Sequence, residues 1–546
     1  MPTGETSAGA AAAAGSESGA ERLNTRAAGV VGLAVLCSRV LGLAREQIFA
    51  ALFGGGRVMD AFTIAFRIPN LLRDLFAEGA LSTAFVTVFS RTAALEDSSA
   101  AWRLANKVAT LTTVTLSAIT VIGVATAPWL VAALAPGFDP GKAALTVTLT
   151  RIMYPFILLV SLAALVMGML NARNVFGMPA MASSFFNLGS IVSGVVLGYW
   201  LDPHFGAGAI LGLAIGTLVG GTLQLAVQLP ALKRAGYAFH ADFHWRDPGV
   251  RAILRLMGPS VIAASTTQLN VLINSVFASE LGDGPTFWLT VAFRLMQLPL
   301  GIFGVALGTV ALPLLARMAA TGNREAFRSE LARGMRLAFL MTIPASVGLM
   351  VLADPIMSVL YQHGKFTAHQ TAEAAGALRC YAIGLCGYAA LKVLVNAFYA
   401  LERRKTPMVV SFLAVGLNLA LNWMLTVHFR WGHRGLALST ACVATSNFLI
   451  LYVLMRAHLG RLESRTMAAL LSRVALASAV LFAVSWAGGH FLLADWAVES
   501  FWPKCLSLVL VIALAAAAFF WCASALGIGE VHEIARALQR RLRRAA

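Results

Sequence analysis

The chain has 546 residues, 58% of them hydrophobic and only 12% charged, and its mean hydropathy is +0.76. No soluble chain of that length needs so much apolar side chain, so water is excluded as its main solvent. The formal net charge of +17 suggests nucleic acid at first sight, but the cations gather in the breaks between apolar stretches, which is the signature of membrane topology.

Residues 1–26 are rich in Ala, Gly, Ser and Glu and have neither amphipathic periodicity nor the basic start and apolar run of a cleavable signal; a disordered cytoplasmic tail is expected. Apolar windows that can cross about 30 Å of hydrocarbon then recur to residue 527, about fourteen in all. Those at 27–53, 58–90, 108–134, 144–170, 178–200 and 206–231 make a first lobe over 27–231, followed by a basic cytoplasmic linker at 232–252. Those at 253–281, 286–318, 334–360, 371–401, 407–428 and 435–458 make a second lobe over 253–458, and a last pair lies within 466–527, before a basic tail at 528–546. Stretches such as 506–520 lack the alternation of a β-barrel strand, so the fold class is an all-α membrane bundle.

Every second break is basic. Arg91, Arg103 and Lys107 lie in one, Lys233, Arg234, Arg246 and Arg251 in another, and Arg317, Arg324, Arg328 and Arg333 in a third. Arg403, Arg404 and Lys405, then Arg456, Arg461 and Arg465, then the C-terminal arginines continue the series, while the other breaks carry mainly Asp and Glu. Both termini are therefore expected in the cytoplasm, and the span count is even. The six cysteines, Cys37, Cys380, Cys386, Cys442, Cys505 and Cys522, mostly fall in apolar windows without metal-like clustering and read as small buried hydrophobes.

Charges inside the windows are the informative ones, because a cation at mid-bilayer costs at least about 2.5 kcal/mol. The first window holds Ser38, Arg39, Arg45 and Glu46; the second holds Asp60, Arg67, Arg73, Asp74 and Glu78 and is broken by Pro69; Arg294 and Lys392 lie in the second lobe. Arg39 with Glu46 and Arg67 with Asp74 have the spacing of ion pairs on one stripe, whereas Arg45, Arg73 and Arg294 have fewer obvious local partners. Arginines aimed at a shared wet cleft suit a phosphate, whose oxygens the planar guanidinium can grip in pairs. Asn270, Asn396 and Gln268 are polar inside windows and read as interhelical hydrogen-bonders or cation ligands, and the Gly-rich run at 206–221 reads as a packing surface.

The chain also resembles itself. Shifted by about 226 to 228 residues, Phe49-Ala50 falls on Phe277-Ala278, Ala65-Phe66-Arg67 on Ala292-Phe293-Arg294, and Ala80-Leu81-Ser82-Thr83 on Ala306-Leu307-Gly308-Thr309. Such a shift spans an even number of windows, so the two lobes share one orientation and form a parallel repeat about an axis along the membrane normal, with the last pair of windows an appendage.

Specific runs carry a further likeness. Ser38-Arg39-Val40-Leu41-Gly42, Asp60-Ala61-Phe62, Phe66-Arg67-Ile68-Pro69-Asn70-Leu71-Leu72-Arg73 and Phe76-Ala77-Glu78-Gly79-Ala80 resemble the opening signature of the MurJ (MviN) lipid II flippases. Ala135-Pro136-Gly137-Phe138, Tyr154-Pro155-Phe156, Gly304-Val305-Ala306-Leu307-Gly308-Thr309, Gly364-Lys365-Phe366-Thr367 and Lys405-Thr406-Pro407 extend it, although the last two windows match in hydropathy alone. The resemblance implies a MATE-like two-lobed fold of the multidrug/oligosaccharidyl-lipid/polysaccharide exporter superfamily, in a bacterial inner membrane. It also implies alternating access acting on lipid II, the undecaprenyl-pyrophosphate-linked peptidoglycan precursor. It assigns substrate-binding roles to Ser38, Arg39, Arg45, Asp60, Arg73, Glu78 and Arg294, and a lipid-tail groove to the last two windows. No cofactor is implied; a monovalent coupling ion is, as are membrane lipids and cell-wall synthesis proteins as partners, and nucleic acid is not. Three departures accompany the likeness: Phe293 precedes Arg294 where many members have Asp, Gln297 replaces a common Glu, and Phe287 stands where a small polar residue is frequent.

Two other readings compete. One is an exporter of another polyprenyl-linked oligosaccharide. The other is a membrane enzyme such as a polyprenyl-phosphate glycosyltransferase, which needs a carboxylate constellation that Asp60, Asp74 and Glu78, placed among arginines, supply poorly.

Overall fold

The computed structural model describes residues 6–74, 81–460, 462–494 and 500–531, and these contain helix, turn and loop but no strand. The helices are α1 (Thr6–Phe53), α2 (Arg57–Arg73), α3 (Ser82–Leu95), α4 (Ser98–Leu134), α5 (Pro140–Met153), α6 (Phe156–Ala172), α7 (Gly177–Leu201), α8 (Ile210–Ala226), α9 (Leu229–Arg234) and α10 (Pro248–Ser279). They continue as α11 (Pro285–Ala320), α12 (Arg324–Val351), α13 (Ala353–Tyr361), α14 (Ala368–Ile383), α15 (Leu385–Ala400), α16 (Lys405–Asn422), α17 (Gly432–Leu459), α18 (Ser464–Phe491) and α19 (Phe501–Ala525). After α16 the chain widens into a π-helical turn, Trp423–His428.

Among the described residues, nine helices are long and apolar enough to cross a membrane, or up to 11 if each of two bent pairs is one span. The expected count of about fourteen is not reproduced. The window at 58–90 is shared between α2, with 17 residues, and α3, with 14; at 1.5 Å per residue neither spans hydrocarbon as a straight rod. The window at 371–401 is likewise two helices, bent by 42° between α14 and α15. Upstream, α1 starts at Thr6, well before the first apolar window, so the stretch read as an unstructured tail continues the helix. Its Ala8–Ala14 portion is almost all alanine, the best helix former.

The internal repeat is written into the backbone. Helix starts recur at a nearly fixed interval: Arg57 and Pro285, Pro140 and Ala368, and Gly177 and Lys405 each differ by 228, Ser98 and Arg324 by 226. The loops repeat too. Left-handed backbone occurs at Gly54 and again at Gly282, and at Asn174 and again at Glu402, both pairs 228 apart. The closing hydrogen bond from Val175 N to Leu170 O is matched by Arg403 N to Phe398 O, and that from Phe138 N to Ala135 O by Phe366 N to His363 O. Gly54 and Gly282, and Phe138 and Phe366, are the same residue, whereas Asn174 and Glu402, and Val175 and Arg403, differ, so there the turn geometry has outlasted the residues that form it.

The chain divides into two compact units. The first comprises residues 1–49, 61–132 and 140–265. Its core gathers Phe85, Phe89, Leu104, Val108, Met169 and Leu170 from α3, α4 and α6, with Leu232 and Val250 closing it. Here α7 and α8 touch almost backbone to backbone: a Cβ on Gly212 would lie 2.3 Å from Gly198 N, and one on Gly216 2.7 Å from Gly194 Cα. The 206–221 run is thus the packing surface its composition announced.

The second unit comprises residues 50–60, 133–139 and 266–546. The boundary between these units falls inside α10. The appended helices α18 and α19 pack on α12 through Leu340, Leu470, Val474, Leu481 and Phe519. A charged clamp fixes them: Arg336 on α12 donates from one terminal nitrogen to Glu463, at 2.5 Å, and from Nε to Glu530, at 2.7 Å. All three side chains are largely buried. Removing one member of such a cluster strands the others, at a cost of about 3 kcal/mol. Arg336→Met should therefore lower the melting temperature in detergent and speed proteolysis of the 460–464 connection; an unchanged melting curve would mean that the clamp is solvated and weak.

Candidate functional site

In the second unit, segments 50–60 and 133–139 lie along the 279–288 and 362–370 connections. Lys365 N donates to Ala51 O at 2.8 Å, Gly55 N to Gln370 Oε1 at 2.9 Å, and Gly137 N to Ser279 Oγ at 3.2 Å. Arg57 joins Asp139 and reaches Asp283 at 4.0 Å. Side chains hardly fit here: a Cβ on Gly137 would sit 2.5 Å from Glu280 Cα, and one on Gly364, whose φ is +56°, 2.3 Å from Ala51 O. The Ala135–Phe138 and Gly364–Thr367 runs that carry the family likeness are therefore the two flanks of a glycine-lined seam.

Asp60 belongs to this seam. It is fully buried, and its carboxylate accepts from Gly284 N at 2.6 Å and from Phe287 N at 2.9 Å. It thus caps the start of α11, where Gly284 offers no capping side chain and Pro285 no N–H. A carboxylate there also meets the positive end of the helix dipole. Phe287 is buried against Phe366, with ring centroids 6.3 Å apart, so this departure from the family pattern serves the core of the seam.

Ser38 and Arg45 face α7 in the first unit. Asn187 Nδ2 donates to Ser38 O at 3.1 Å, and the Arg45 guanidinium lies 5.1 Å from the centre of the Phe186 ring. Arg39, one position round the helix, is exposed. Arg73 is half-buried and donates to Asp74 at 2.9 Å, which corrects the expectation that Arg73 has few local partners. Arg294 is half-buried on α11, and its neighbour Phe293 packs edge-on to Tyr381 at 5.2 Å. It lies seven residues beyond Phe287, about 10 Å further along the helix axis. Gln297 is exposed. Glu78 lies outside the described residues.

One polar cluster was missed by inspection of charges. Asn422 Nδ2 donates to Asn274 Oδ1 at 2.7 Å and more weakly to Asn418 Oδ1 at 3.3 Å, and Asn274 Nδ2 donates to Thr440 Oγ1 at 3.1 Å. The amide oxygens of Asn422 and of Asn270, one turn before Asn274, are buried and accept no hydrogen bond among the described residues. Of the three polar residues singled out from the sequence, Asn270 shares a helix face with Asn274 and donates to Thr266 O at 3.3 Å. The signal lay in the spacing, since Asn270 and Asn274, like Asn418 and Asn422, are four apart and share a helix face.

Known proteins now bear on this arrangement. The family model described as lipid II flippase MurJ matches residues 49–507, a stretch that holds Asp60, Arg73, Glu78 and Arg294. The lipid II flippase MurJ of Burkholderia cenocepacia is 38% identical over 427 residues, 77% of this chain and 81% of the relative. A probable lipid II flippase MurJ of Haemophilus influenzae is 33% identical over 517 residues, 91% of this chain and 99% of the relative. Among solved structures, a lipid II flippase MurJ in an inward closed conformation superposes with a TM-score of 0.72 at 24% identity, over 90% of this chain and 98% of that one. A MATE family transporter of the MOP superfamily does so with 0.67 at 15% identity, over 78% and 96%. The fold is therefore the MATE-like one that the resemblance implied. With a family match across most of its length, close curated relatives, a repeated helical frame and arginines set in apolar helices, this multi-pass membrane chain belongs to the lipid II flippase MurJ family.

Proposed function

We propose that this protein is a flippase that moves lipid II from the inner to the outer leaflet of the bacterial inner membrane by alternating access, with both of its termini in the cytoplasm. Family membership carries the reading, and the chemistry agrees with it. A pyrophosphate cannot enter hydrocarbon unaided; arginines held at depth replace its hydration, while the polyprenyl tail stays in lipid. Arg39, Arg45, Arg73 and Arg294 are the side chains assigned to the phosphates or to the acidic groups of the muropeptide. An interior-negative potential of 100 mV favours outward movement by about 2.3 kcal/mol per negative charge. The seam that holds segments 50–60 and 133–139 would have to part for the second state. It is held by the Lys365 N to Ala51 O bond, by bonds to Gln370 and Ser279, by the Arg57 ion pairs and by the Asp60 cap, and these are the contacts that such a change would break.

The buried amide cluster supports a monovalent coupling ion. Its donors are all neutral oxygens, which suit a hard cation of single charge, and the free oxygens of Asn270 and Asn422 are the ligands nearest to hand. Sodium at tenfold its dissociation constant should stabilise the protein by about 1.4 kcal/mol, and Asn422→Leu should abolish that shift, with choline as the inert control; no sodium-specific shift would remove the ion from the mechanism.

Proteoliposomes loaded with lipid II test the main reading. Protein-dependent transfer between leaflets with an unaltered headgroup is expected; chemical modification of the headgroup would favour the enzyme, and transfer of other polyprenyl-linked glycans in preference to lipid II would favour the alternative exporter.

A further inference from the structure

Between α9 and α10 the chain runs without helix from Tyr237 to His244, yet its backbone is tied to α4. Tyr237 packs against Trp102, with ring centroids 5.4 Å apart and the planes tilted by 56°. Four residues along α4, Asn106 Nδ2 donates to Ala238 O and Asn106 Oδ1 accepts from His240 N, both at 3.3 Å. A turn further on, Thr110 Oγ1 accepts from Asp242 N at 3.1 Å. The segment then returns: Asp247 takes the ammonium of Lys107 at 2.6 Å, and Gly249 lies against Leu104. From Trp102 to Thr110 is eight residues of helix, so the loop climbs about 12 Å beside α4 and comes back. This part of α4 belongs to a helix apolar enough to span the bilayer.

Side chains along this loop alternate. Tyr237, Phe239, Phe243 and Trp245 are aromatic, whereas His240, Asp242, His244 and Arg246 are polar. Phe239 and Phe243 leave 57% and 62% of their surface uncovered. Burial pushes the Tyr237 phenol up to about 12. Burial alone would also raise the Asp247 carboxyl, but the Lys107 ammonium and the N–H of Gly249 hold it below its ordinary value. Lys233, Arg234, Arg246 and Arg251 flank the loop and are not neutralised by any ion pair among the described residues.

We infer that residues 237–246 form an interfacial strap: a shallow loop, anchored to α4 through Tyr237, whose exposed Phe239 and Phe243 rest in the headgroup region of the leaflet on the basic side of the protein, with the flanking cations against anionic lipid phosphates. Non-helical backbone near hydrocarbon needs its polar groups satisfied from within the protein, and Asn106 and Thr110 supply partners for the C=O of Ala238 and the N–H groups of His240 and Asp242; a shallow place in the wet headgroup region leaves water for the rest. Exposed aromatic rings beside cations are the composition of a membrane interface. The occupant is therefore the lipid surface and not a soluble partner, and the strap holds whatever the cargo of the transporter.

Spin labels at single cysteines replacing Phe239, His240, Phe243 or His244, in the full-length chain with its native cysteines changed to serine, test this in vesicles of phosphatidylcholine with or without phosphatidylglycerol. The ratio of oxygen to nickel-chelate collisions at 239 and 243 should exceed that at 240 and 244 at least threefold, and more so with the anionic lipid. Equal, water-like ratios at all four positions would overturn the inference, since no soluble partner is present to cover them. Hydrogen exchange on the unaltered protein gives an independent reading: amides of 237–246 should exchange severalfold more slowly in anionic than in zwitterionic nanodiscs, and identical rates would count against the strap.

Discussion

Asp60→Ala should lower the melting temperature of the purified protein by on the order of 5 °C and abolish lipid II transfer with it. Both oxygens of this buried carboxylate are occupied by the first turn of α11. Phe287 N keeps a bond to Gly284 O at 3.0 Å, but Gly284 N is left with no acceptor. An orphaned buried N–H costs about 1–3 kcal/mol, and the lost charge at the helix start about 1 kcal/mol more. Asp60→Asn, which retains one acceptor, should fall between the two. Differential scanning fluorimetry beside a transfer assay separates the roles: a variant that melts normally yet transfers nothing would return Asp60 to the substrate.

The opposite signature is expected of the arginines. Arg73→Gln combined with Arg294→Gln should reduce transfer at least about a hundredfold while the melting temperature changes little. Each charge-assisted bond to a phosphate is worth about 1.5–3 kcal/mol, so two together exceed the roughly 2.7 kcal/mol that a hundredfold requires. Glutamine keeps hydrogen-bonding capacity at both positions, and Asp74 remains 32% exposed to take up the loss of its neighbour's charge. Transfer within threefold of the unmodified protein would dissociate these arginines from the cargo.

That contrast follows the line between what could be read from the chain and what could not. Apolar windows, their alternating basic breaks and the interval of about 228 residues are all properties along one dimension, and the helix starts and loop turns reproduce that interval. The motifs at Ala135–Phe138 and Gly364–Thr367 were equally visible, but as resemblance without a reason. The reason is a backbone seam in which a side chain has no room. Likewise Asp60 looks like any membrane-depth acid until its oxygens are seen on an N-terminus more than two hundred residues away.

By itself, then, the amino-acid order determined an all-helical, duplicated membrane protein of the flippase family with arginines at depth, because hydrophobic period, charge placement and repeat interval are local or additive quantities. Only the tertiary structure decided which partner each distant polar group takes: α11 for Asp60, Asn274 for Asn422, and α4 for the aromatic loop. Those choices depend on which helices lie side by side, and an unpaired polar group in an apolar surrounding costs so much that it takes whichever complement the packing brings within about 3 Å.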